Sequence, residues 1–303
     1  MTRLYYDIIK DIPASLPELD HQVLRSTGHS LLGVSARTVG ESFPVLAREI
    51  TRYSAAVVPV SSGAGVIPGF AECVAAILCH IGIDAFVTRG SDIAGIGEAF
   101  RRGADAFFAA DDHEFLALNT ATSRVVDNSR ATAEGFVQAL AAAVEASGTQ
   151  VAGKEVLVLG LGPVGRYAVE ELLKQRACIR VFDSDAGKLR SFAVQYQNVR
   201  CVLSLEAALQ GVDYILDATP ATGIITEDRI TPRMIVSAPG VPHGLTRAAA
   251  DTLGLRLIHD PLPLGVVTMA VQCFFCSDLS RGARECTESP SRLLSDPPFF
   301  RTA

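Results

Sequence analysis

The sequence lacks both a long hydrophobic run and a block of basic residues. No stretch reaches the 18 or more consecutive apolar residues that indicate a membrane-spanning helix, so no interaction with a membrane is expected. The 27 basic and 33 acidic residues give a net charge of −6, and the basic residues are dispersed. Domains that bind nucleic acid carry a cationic face, so the composition argues against a nucleic-acid partner.

A complete zinc motif is missing as well. Cys273 and Cys276 have the spacing of half a zinc site, but no second CxxC pair completes it. The seven cysteines are odd in number and mostly have apolar neighbours, which is typical of buried thiols in a reducing compartment. Residues 1–13 include acidic residues where a signal peptide would have its apolar stretch. We therefore expect a cytoplasmic protein that contains no metal.

What the sequence does contain is enough apolar material for a large core. Hydrophobic residues make up 49% of the chain and charged residues 20%, which excludes a mainly disordered protein. At roughly 150 residues per domain, a chain of 303 residues is long enough for about two domains.

Short apolar runs alternate with amphipathic stretches from residue 56 onward. Residues 1–50 have apolar residues at helical spacing and are expected to be largely helical. The next elements follow in this order: strand 56–60, helix 69–81, strand 83–88, helix 93–102 and strand 104–110. Strands separated by helices predict βαβ units and a parallel sheet. The fold class is therefore α/β.

An Ala-rich segment over residues 131–147 predicts a helix that carries the chain out of this first unit. We place a domain boundary near residue 150. Residues 1–150 are expected to form the substrate domain, with N-terminal helices followed by βαβ units. Residues 151–276 are expected to form a Rossmann NAD-binding domain, and the Ser-, Arg- and Pro-rich residues 277–303 a flexible tail.

The strongest chemical signal is a GxGxxG motif over residues 160–165, with Pro163 and Val164 inside it. The motif alone is weak, but here it follows an apolar strand and enters a helix that leads to a second strand. Gly160 would permit the tight turn, Gly162 would let the backbone approach a pyrophosphate, and Gly165 would allow close packing of helix on strand. The first turn of the helix offers free N–H groups to phosphates. The sequence therefore predicts a dinucleotide cofactor.

An acidic residue follows the second strand of this unit. Asp183 lies 18 residues beyond Gly165, where a carboxylate would bind the ribose hydroxyls and repel a 2′-phosphate, which favours NAD over NADP. Thr219 with Pro220, and Pro239, follow two later strands and are expected to border the nicotinamide, because ligands bind outside the carboxyl ends of parallel strands. Ordinary turn chemistry is the alternative for each of these last residues.

Two loops of the first unit follow predicted strands and are candidates for substrate binding. Ser61, Ser62 and Gly63 follow the first strand, and their hydroxyls and N–H groups suit a substrate carboxylate. Asp111 and Asp112 follow the third strand, and two carboxylates suit an ammonium group. Helix capping and a solvated charge are the alternative for this acidic pair.

Several segments resemble the pyrrolysine synthase family. They are VVPVSSGAGVIPGF (57–70), DAFVTRGSDIAG (84–95), GADAFFAADDHEFLALN (103–119), VLVLGLGPVG (156–165), ATP (218–220), SAPGVP (237–242) and PLGVVTM (263–269). The resemblance runs from about residue 20 to residue 273. Apart from GxGxxG these motifs are specific, since ordinary Rossmann dehydrogenases do not carry the SSGxG and ADD segments.

The resemblance implies a definite reaction and substrate. The substrate would be the isopeptide 3-methyl-D-ornithyl-Nε-L-lysine, and NAD+ would take a hydride from the carbon bearing its terminal amine. Loss of ammonia and condensation with the α-amine would then close the pyrroline ring. Asp111 and Asp112 match the acidic pair of the family, and we assign them to substrate amines and to catalysis.

Two other functions remain open on the sequence alone. One is a different NAD-dependent amino-acid or opine-type dehydrogenase, whose acceptor would be a keto acid and which would form no ring. The other is a non-catalytic NAD-binding sensor, although the sequence contains no recognisable effector or DNA-binding module. A homodimer is also left open.

Overall fold

Two β-sheets with their covering helices make up residues 5–275, the part of the chain that the computed structural model describes. The predicted flexible tail over residues 277–303 and the thiol of Cys276 lie outside the described residues. The α/β class predicted from the sequence is confirmed. Within the described range, no helix has both the length and the apolar character needed to cross a membrane.

In the described part of the chain, four α-helices precede the first sheet. They are α1 (Tyr6–Ile9), α2 (Ile12–Thr27), α3 (Leu31–Val39) and α4 (Phe43–Glu49). Ser30 caps α3 by accepting a hydrogen bond from the N–H of Gly33, and α2 ends at Gly28 in a left-handed conformation. These signals explain why the N-terminal region divides into short helices. Their apolar faces pack into the main core, where Leu31 and Leu46 are fully buried.

The first sheet has five strands in the order β2-β1-β3-β4-β5. Its elements along the chain are β1 (Ser54–Val58), α5 (Phe70–His80), β2 (Asp84–Val87), α6 (Asp92–Arg101), β3 (Ala106–Ala110), β4 (Phe115–Asn119) and β5 (Val125–Asp127). Strand β1 pairs in parallel with both β2 and β3. The predicted βαβ units are therefore present in this part of the sheet.

The three predicted strands are parallel, but the sheet continues with two antiparallel strands that the sequence analysis did not predict. Strands β3 and β4 are antiparallel, and so are β4 and β5. The physical reason is a tight turn between β3 and β4. The N–H of Asp111 donates to the carbonyl of Glu114, and the Asp111 carboxylate accepts the N–H groups of His113 and Glu114. The chain therefore folds straight back as a hairpin instead of crossing over through a helix.

Helix α7 (Asn128–Ala146) connects the two sheets along the chain. The second sheet contains β6 (Glu155–Leu159), α8 (Pro163–Lys174), β7 (Cys178–Phe182), α9 (Ala186–Gln195), β8 (Arg200–Cys201), α10 (Leu205–Leu209), β9 (Tyr214–Asp217), β10 (Ile235–Ser237), α11 (Arg247–Leu253) and β11 (Leu257–Ile258). Its order is β11-β10-β9-β6-β7-β8, with every pair parallel. This is the strand order of the doubly wound dinucleotide-binding fold.

The last described helix, α12 (Pro263–Phe275), returns to the first part of the molecule. It packs against α7, α3, α5 and β4, whereas α7 also packs against α8 and β10. A Cβ atom at Gly135 would lie 2.5 Å from Thr268 Oγ1, so the small glycine permits the close approach of α7 and α12. The boundary near residue 150 stays a prediction, and α12 contacts elements on the N-terminal side of it.

Candidate active site

A cavity of about 280 Å³ lies where the carboxyl ends of strands from the two sheets meet. One wall consists of residues that follow strands of the second sheet, namely Gly162, Pro163, Val164, Thr219, Pro220 and Pro239. The opposite wall includes Asp111 and Asp112, which follow β3. The structure therefore brings most of the residues predicted for the cofactor and the acidic pair to one cleft.

The Gly-rich turn has the close contacts that its motif requires. Gly160 has a φ of 88°, and a Cβ atom there would lie 2.9 Å from the carbonyl oxygen of Ala218. A Cβ atom on Gly165 would collide with the carbonyl oxygen of Gly160. Among the described residues, apart from the chain neighbours of Gly162, no atom lies within 4 Å of the position that its Cβ atom would take, and Gly162 faces the cavity. Two glycines thus serve packing, and the third leaves open space before α8.

Asp183 lies at the end of β7 and not in the cavity wall. Its Oδ2 accepts the N–H of Leu161 at 2.7 Å and its Oδ1 accepts the N–H of Asp185 at 2.8 Å. The carboxylate is half-buried. Because each carboxylate oxygen can accept more than one hydrogen bond, these contacts fix the side chain and still permit a further donor. Asp183 therefore joins the Gly-rich turn to the end of the second strand.

A buried carboxylate supports the loops that follow β9 and β10. Asp217 accepts the N–H of Gly244 at 2.5 Å and that of Thr219 at 3.3 Å. Burial raises the pKa of Asp217 to about 6, although the two backbone bonds favour the ionised form. Asp217 thereby ties the Thr219–Pro220 turn to a second loop of the cleft. The residues next to Asp217 in the sequence did not indicate this role.

Asp111 and Asp112 face the same cavity but have different partners. Asp111 is exposed, and the N–H groups of Glu114 and His113 that it accepts hold its pKa below its usual value. Asp112 is half-buried, and its Oδ2 accepts the N–H of Ala64 at 2.6 Å. A strand and not a helix follows the acidic pair, so the two carboxylates stabilise a hairpin turn and a loop and do not cap a helix, and both line the cavity.

The loop predicted to bind substrate lies beside the cavity. Within the described residues, the cavity wall does not include Ser61, Ser62 or Gly63. Ser61 donates its N–H and its hydroxyl to the carboxylate of Asp92, at 2.8 and 2.6 Å. The loop nevertheless lies against the acidic wall, because a Cβ atom on Gly63 would collide with the carboxylate of Asp112. Their binding of substrate stays a prediction.

Sequence reasoning missed a third carboxylate in the cavity wall. Asp260 is 2% exposed and accepts the N–H groups of Leu262 and Leu264, the latter in the first turn of α12. Burial raises its pKa to about 7. The Asp-Pro sequence at this position had the appearance of an ordinary turn. Asn128, Ser129 and Thr132 of α7 also line the cavity and were missed.

The electrostatic character of the cavity is one-sided. Among the described residues that line it, Asp111, Asp112 and Asp260 are acidic, and none is Lys, Arg or His. Carboxylates that line a cleft attract cations and disfavour anions. The cleft is therefore suited to a ligand with one or more amino groups.

The half zinc motif has no metal-site geometry in the described part. Over residues 5–275, no group of three or more His, Cys, Asp or Glu side chains is placed to hold a metal ion. Cys273 is fully buried in α12, and burial raises the pKa of its thiol to about 12. Its side chain is thus part of the apolar core.

The fold and the cleft together define an α/β protein with a Rossmann-like dehydrogenase fold. Shikimate dehydrogenase from Aquifex aeolicus is similar in structure, with a TM-score of 0.50 and 16% sequence identity over 76% of this chain and 92% of that chain. This similarity establishes the fold.

The sequence comparisons are more specific. Residues 9–126 match the family model described as "Pyrrolysine biosynthesis protein PylD, N-terminal domain". The chain is 29% identical to the pyrrolysine synthase of Methanosarcina acetivorans over 89% of this chain and 98% of that protein. It is 28% identical to the pyrrolysine synthase of Methanosarcina barkeri, with coverage of 89% and 97%. Residues 9–126 thus resemble the PylD N-terminal domain, and the resemblance to pyrrolysine synthases is confirmed.

Proposed function

We propose that this protein is a pyrrolysine-forming dehydrogenase. It would oxidise the terminal amine carbon of 3-methyl-D-ornithyl-Nε-L-lysine with NAD+, and ammonia loss and ring closure would follow. The observation that carries the proposal is the single cleft in which the Gly-rich turn faces the carboxylates of Asp111 and Asp112. The similarity to two pyrrolysine synthases over nearly their whole length supports this choice of substrate.

The residues present fit a dinucleotide. The open space at Gly162 gives a pyrophosphate access to the backbone, and the N-terminus of the twelve-residue helix α8 provides N–H groups and a favourable dipole. Thr219, Pro220 and Pro239 border the cavity beyond this turn, where a nicotinamide would lie. When bound, the nicotinamide would accept the hydride that leaves the substrate.

Local charges favour NAD over NADP. Asp183 places a carboxylate at the end of β7, where it would accept ribose hydroxyls and repel a 2′-phosphate. Arg180 is the nearest basic residue in sequence, but it is 6% exposed and its guanidinium pairs with Glu155 at 2.5 Å. It also donates to the carbonyls of Ala207, Ala208 and Gln210. The guanidinium of Arg180 is therefore held by partners inside the protein and would not contact the 2′-phosphate of NADP.

The acidic wall would orient the substrate through its amines. Asp111 and Asp112 would each accept charge-assisted hydrogen bonds from an ammonium group. The reacting amine must be neutral when hydride leaves its carbon, so a proton has to be accepted first. Asp260 suits this step because its buried carboxylate has a pKa of about 7 and can exchange a proton with an ammonium group near neutral pH.

The chemistry that follows requires only water and the second amine. Loss of a hydride from the neutral amine gives an iminium ion, and addition of water to this ion releases ammonia as ammonium and leaves an aldehyde. The α-amine then attacks the aldehyde and water is lost, which closes the ring. The apolar residues Phe115 and Phe136 in the cavity wall limit the access of bulk water.

The test is an assay of the purified protein with the isopeptide. We expect formation of reduced nicotinamide with NAD+, release of one ammonia per turnover, and a cyclised product detected by mass spectrometry. Turnover only with a keto acid and an amino acid would favour an opine-type dehydrogenase. Cofactor binding without turnover of either substrate pair would favour a sensor.

A further inference from the structure

The loop of residues 61–65 is attached to α6 by a carboxylate that lies 31 positions further along the chain. Asp92 accepts the N–H of Ser61 with Oδ1 at 2.8 Å and the hydroxyl of Ser61 with Oδ2 at 2.6 Å. The N–H of Asp92 donates to the carbonyl of Pro59 at 2.9 Å. Hydrogen bonds from the hydroxyl and N–H of Ser61 hold the pKa of Asp92 below its usual value, so the side chain is ionised at neutral pH. The start of the loop is therefore fixed at three points.

The backbone of Asp92 adopts an uncommon conformation in this arrangement. Its φ of 54° lies in the left-handed region, which residues other than Gly, Asn and Asp rarely adopt. Asp92 is the first residue of α6, and the preceding Ser91 makes no side-chain capping hydrogen bond to that helix. An unfavourable conformation of this kind persists where the surrounding contacts require it. The contacts with Ser61 and Pro59 hold the backbone of Asp92 in this conformation.

The other end of the same loop rests on the acidic wall of the cleft. The N–H of Ala64 donates to Asp112 Oδ2 at 2.6 Å. Gly63 has a φ of 68°, and a Cβ atom there would collide with the carboxylate of Asp112. The loop and the Asp112 side chain are thus in direct contact, and a shift of one requires a shift of the other.

We propose that Asp92 is a positioning residue for the reaction cleft, which acts through Ser61 and the loop of residues 61–65 to orient the carboxylate of Asp112. Within the described residues Asp92 does not line the cavity, whereas Asp112 does. The contacts join the ends of three neighbouring parallel strands, since the loop follows β1, Asp92 follows β2 and Asp112 follows β3. The consequence for catalysis rests on the proposed function, in which Asp112 binds a substrate amine.

The proposal is tested by replacing Asp92 in the full chain. Asp92→Ala removes both acceptors for Ser61, and we expect kcat/KM for the isopeptide to fall roughly 10- to 100-fold, because small displacements of an orienting group have effects of that size. Asp92→Asn keeps an acceptor oxygen and tolerates a positive φ, so it should restore most of the activity. The affinity for NAD+, measured by calorimetry, should be the same in all variants. Asp84→Ala is the matched control, since Asp84 is an exposed carboxylate on β2.

Combination with a second substitution separates an indirect role from an independent one. If Asp92 acts through Asp112, the variant with both Asp92→Ala and Asp112→Asn should be about as slow as Asp112→Asn alone. If the two losses multiply, or if Asp92→Ala has the activity of the wild type, the proposal is wrong.

Amide hydrogen exchange gives a measurement that does not depend on turnover. Peptides that contain residues 61–66 should exchange faster in Asp92→Ala than in the wild type, and at the wild-type rate in Asp84→Ala. Unchanged exchange in Asp92→Ala would overturn the proposal even if activity were lost. If the wild type fails to turn over the isopeptide, the proposed function fails, while the exchange rates still decide whether Asp92 holds the loop.

A milder substitution covers the case in which Asp92→Ala does not fold. Ser61→Ala removes one of the two side-chain contacts and leaves the backbone of Asp92 unchanged. It should raise KM for the isopeptide and accelerate exchange in the loop, each to a smaller degree. Wild-type kinetics together with wild-type exchange in Ser61→Ala would contradict the proposal.

Discussion

Asp111 and Asp112 are adjacent in sequence, line the same cavity and bind different backbone groups. Replacement of either by Asn keeps an oxygen that accepts a backbone N–H and removes the negative charge. A charge-assisted hydrogen bond contributes about 1.5–3 kcal/mol, so we expect kcat/KM for the isopeptide to fall about 10- to 150-fold. The affinity for NAD+ should not change.

The same variants distinguish substrate binding from turn stabilisation. Loss of a turn-stabilising hydrogen bond lowers stability by only about 1 kcal/mol and leaves the chemistry intact. If both variants melt earlier and turn over the isopeptide normally, the two carboxylates serve the turn and the loop alone. Asp84→Asn, on the exposed end of β2, is the control for the loss of one negative charge.

The raised pKa of Asp260 predicts how the stability of the protein depends on pH. Its pKa is about 7 in the folded protein against a reference value of 3.8, so the folded state binds this proton more tightly than the unfolded state does. The contribution of Asp260 to stability is therefore complete below about pH 4 and is lost as the pH rises through about 7. Asn cannot ionise and lacks this dependence.

Melting temperatures of the wild type and of Asp260→Asn, measured from pH 4 to pH 8, test this assignment. The melting temperature of Asp260→Asn relative to that of the wild type should increase as the pH rises towards 7 and should then stay constant. A difference that stays constant over this range would mean that Asp260 has an ordinary pKa.

At the scale of elements, substitutions of two glycines in the turn between β6 and α8 should have opposite effects on cofactor binding and stability. Gly162→Val places a side chain in open space before the helix, so it should block the approach of a pyrophosphate without loss of stability. Gly165→Ala forces a Cβ atom against the carbonyl of Gly160, and overpacking of this kind lowers the free energy of unfolding by about 1–3 kcal/mol.

Calorimetry with NAD+ and thermal melting of both variants check this pair. Gly162→Val should melt near the wild-type temperature and bind NAD+ weakly or not at all. Normal NAD+ binding by Gly162→Val would show that the motif only serves packing.

Strands and helices with simple periodicity could be predicted from the sequence, and those set by long-range pairing could not. The apolar run at 156–159 and the Gly-rich turn lie within one local segment, and β6 and α8 form there. The hairpin of β3 and β4 depends on the turn at Asp111. The sequence analysis expected repeating βαβ units and therefore did not predict this turn. Residues 115–119 alternate between buried and half-buried in the structure, but their sequence FLALN is apolar at four consecutive positions and has no such alternation to indicate β4.

The missed residues of the cleft have a common cause. Asp260 and Asn128 are far in sequence from the Gly-rich turn and from the acidic pair, and α7 and α12 bring them to the cavity. Burial of a charged side chain is a property of tertiary packing, so no local pattern indicates it. The capping residue Asp127 was the one nearby signal, since it accepts the N–H of Arg130 at the start of α7.

At the scale of the whole molecule, cofactor preference tests the arrangement of the second sheet. Asp183→Ser combined with Ser184→Arg replaces the carboxylate at the end of β7 with a basic group, and the ratio of kcat/KM values should shift from NAD+ towards NADP+. Some activity with NAD+ should be lost as well, because Asp183 also holds the N–H of Leu161. A wild-type preference for NADP+ would contradict the assignment of Asp183.

The central claim is that hydride leaves the carbon bearing the terminal amine of the isopeptide. Its most direct test uses an isopeptide with two deuterium atoms on that carbon, together with NAD+ and the wild-type protein. The account predicts one deuterium in the reduced cofactor and one in the cyclised product, with one ammonia released. A product that retains both deuterium atoms, or a reduced cofactor that carries none, would contradict it.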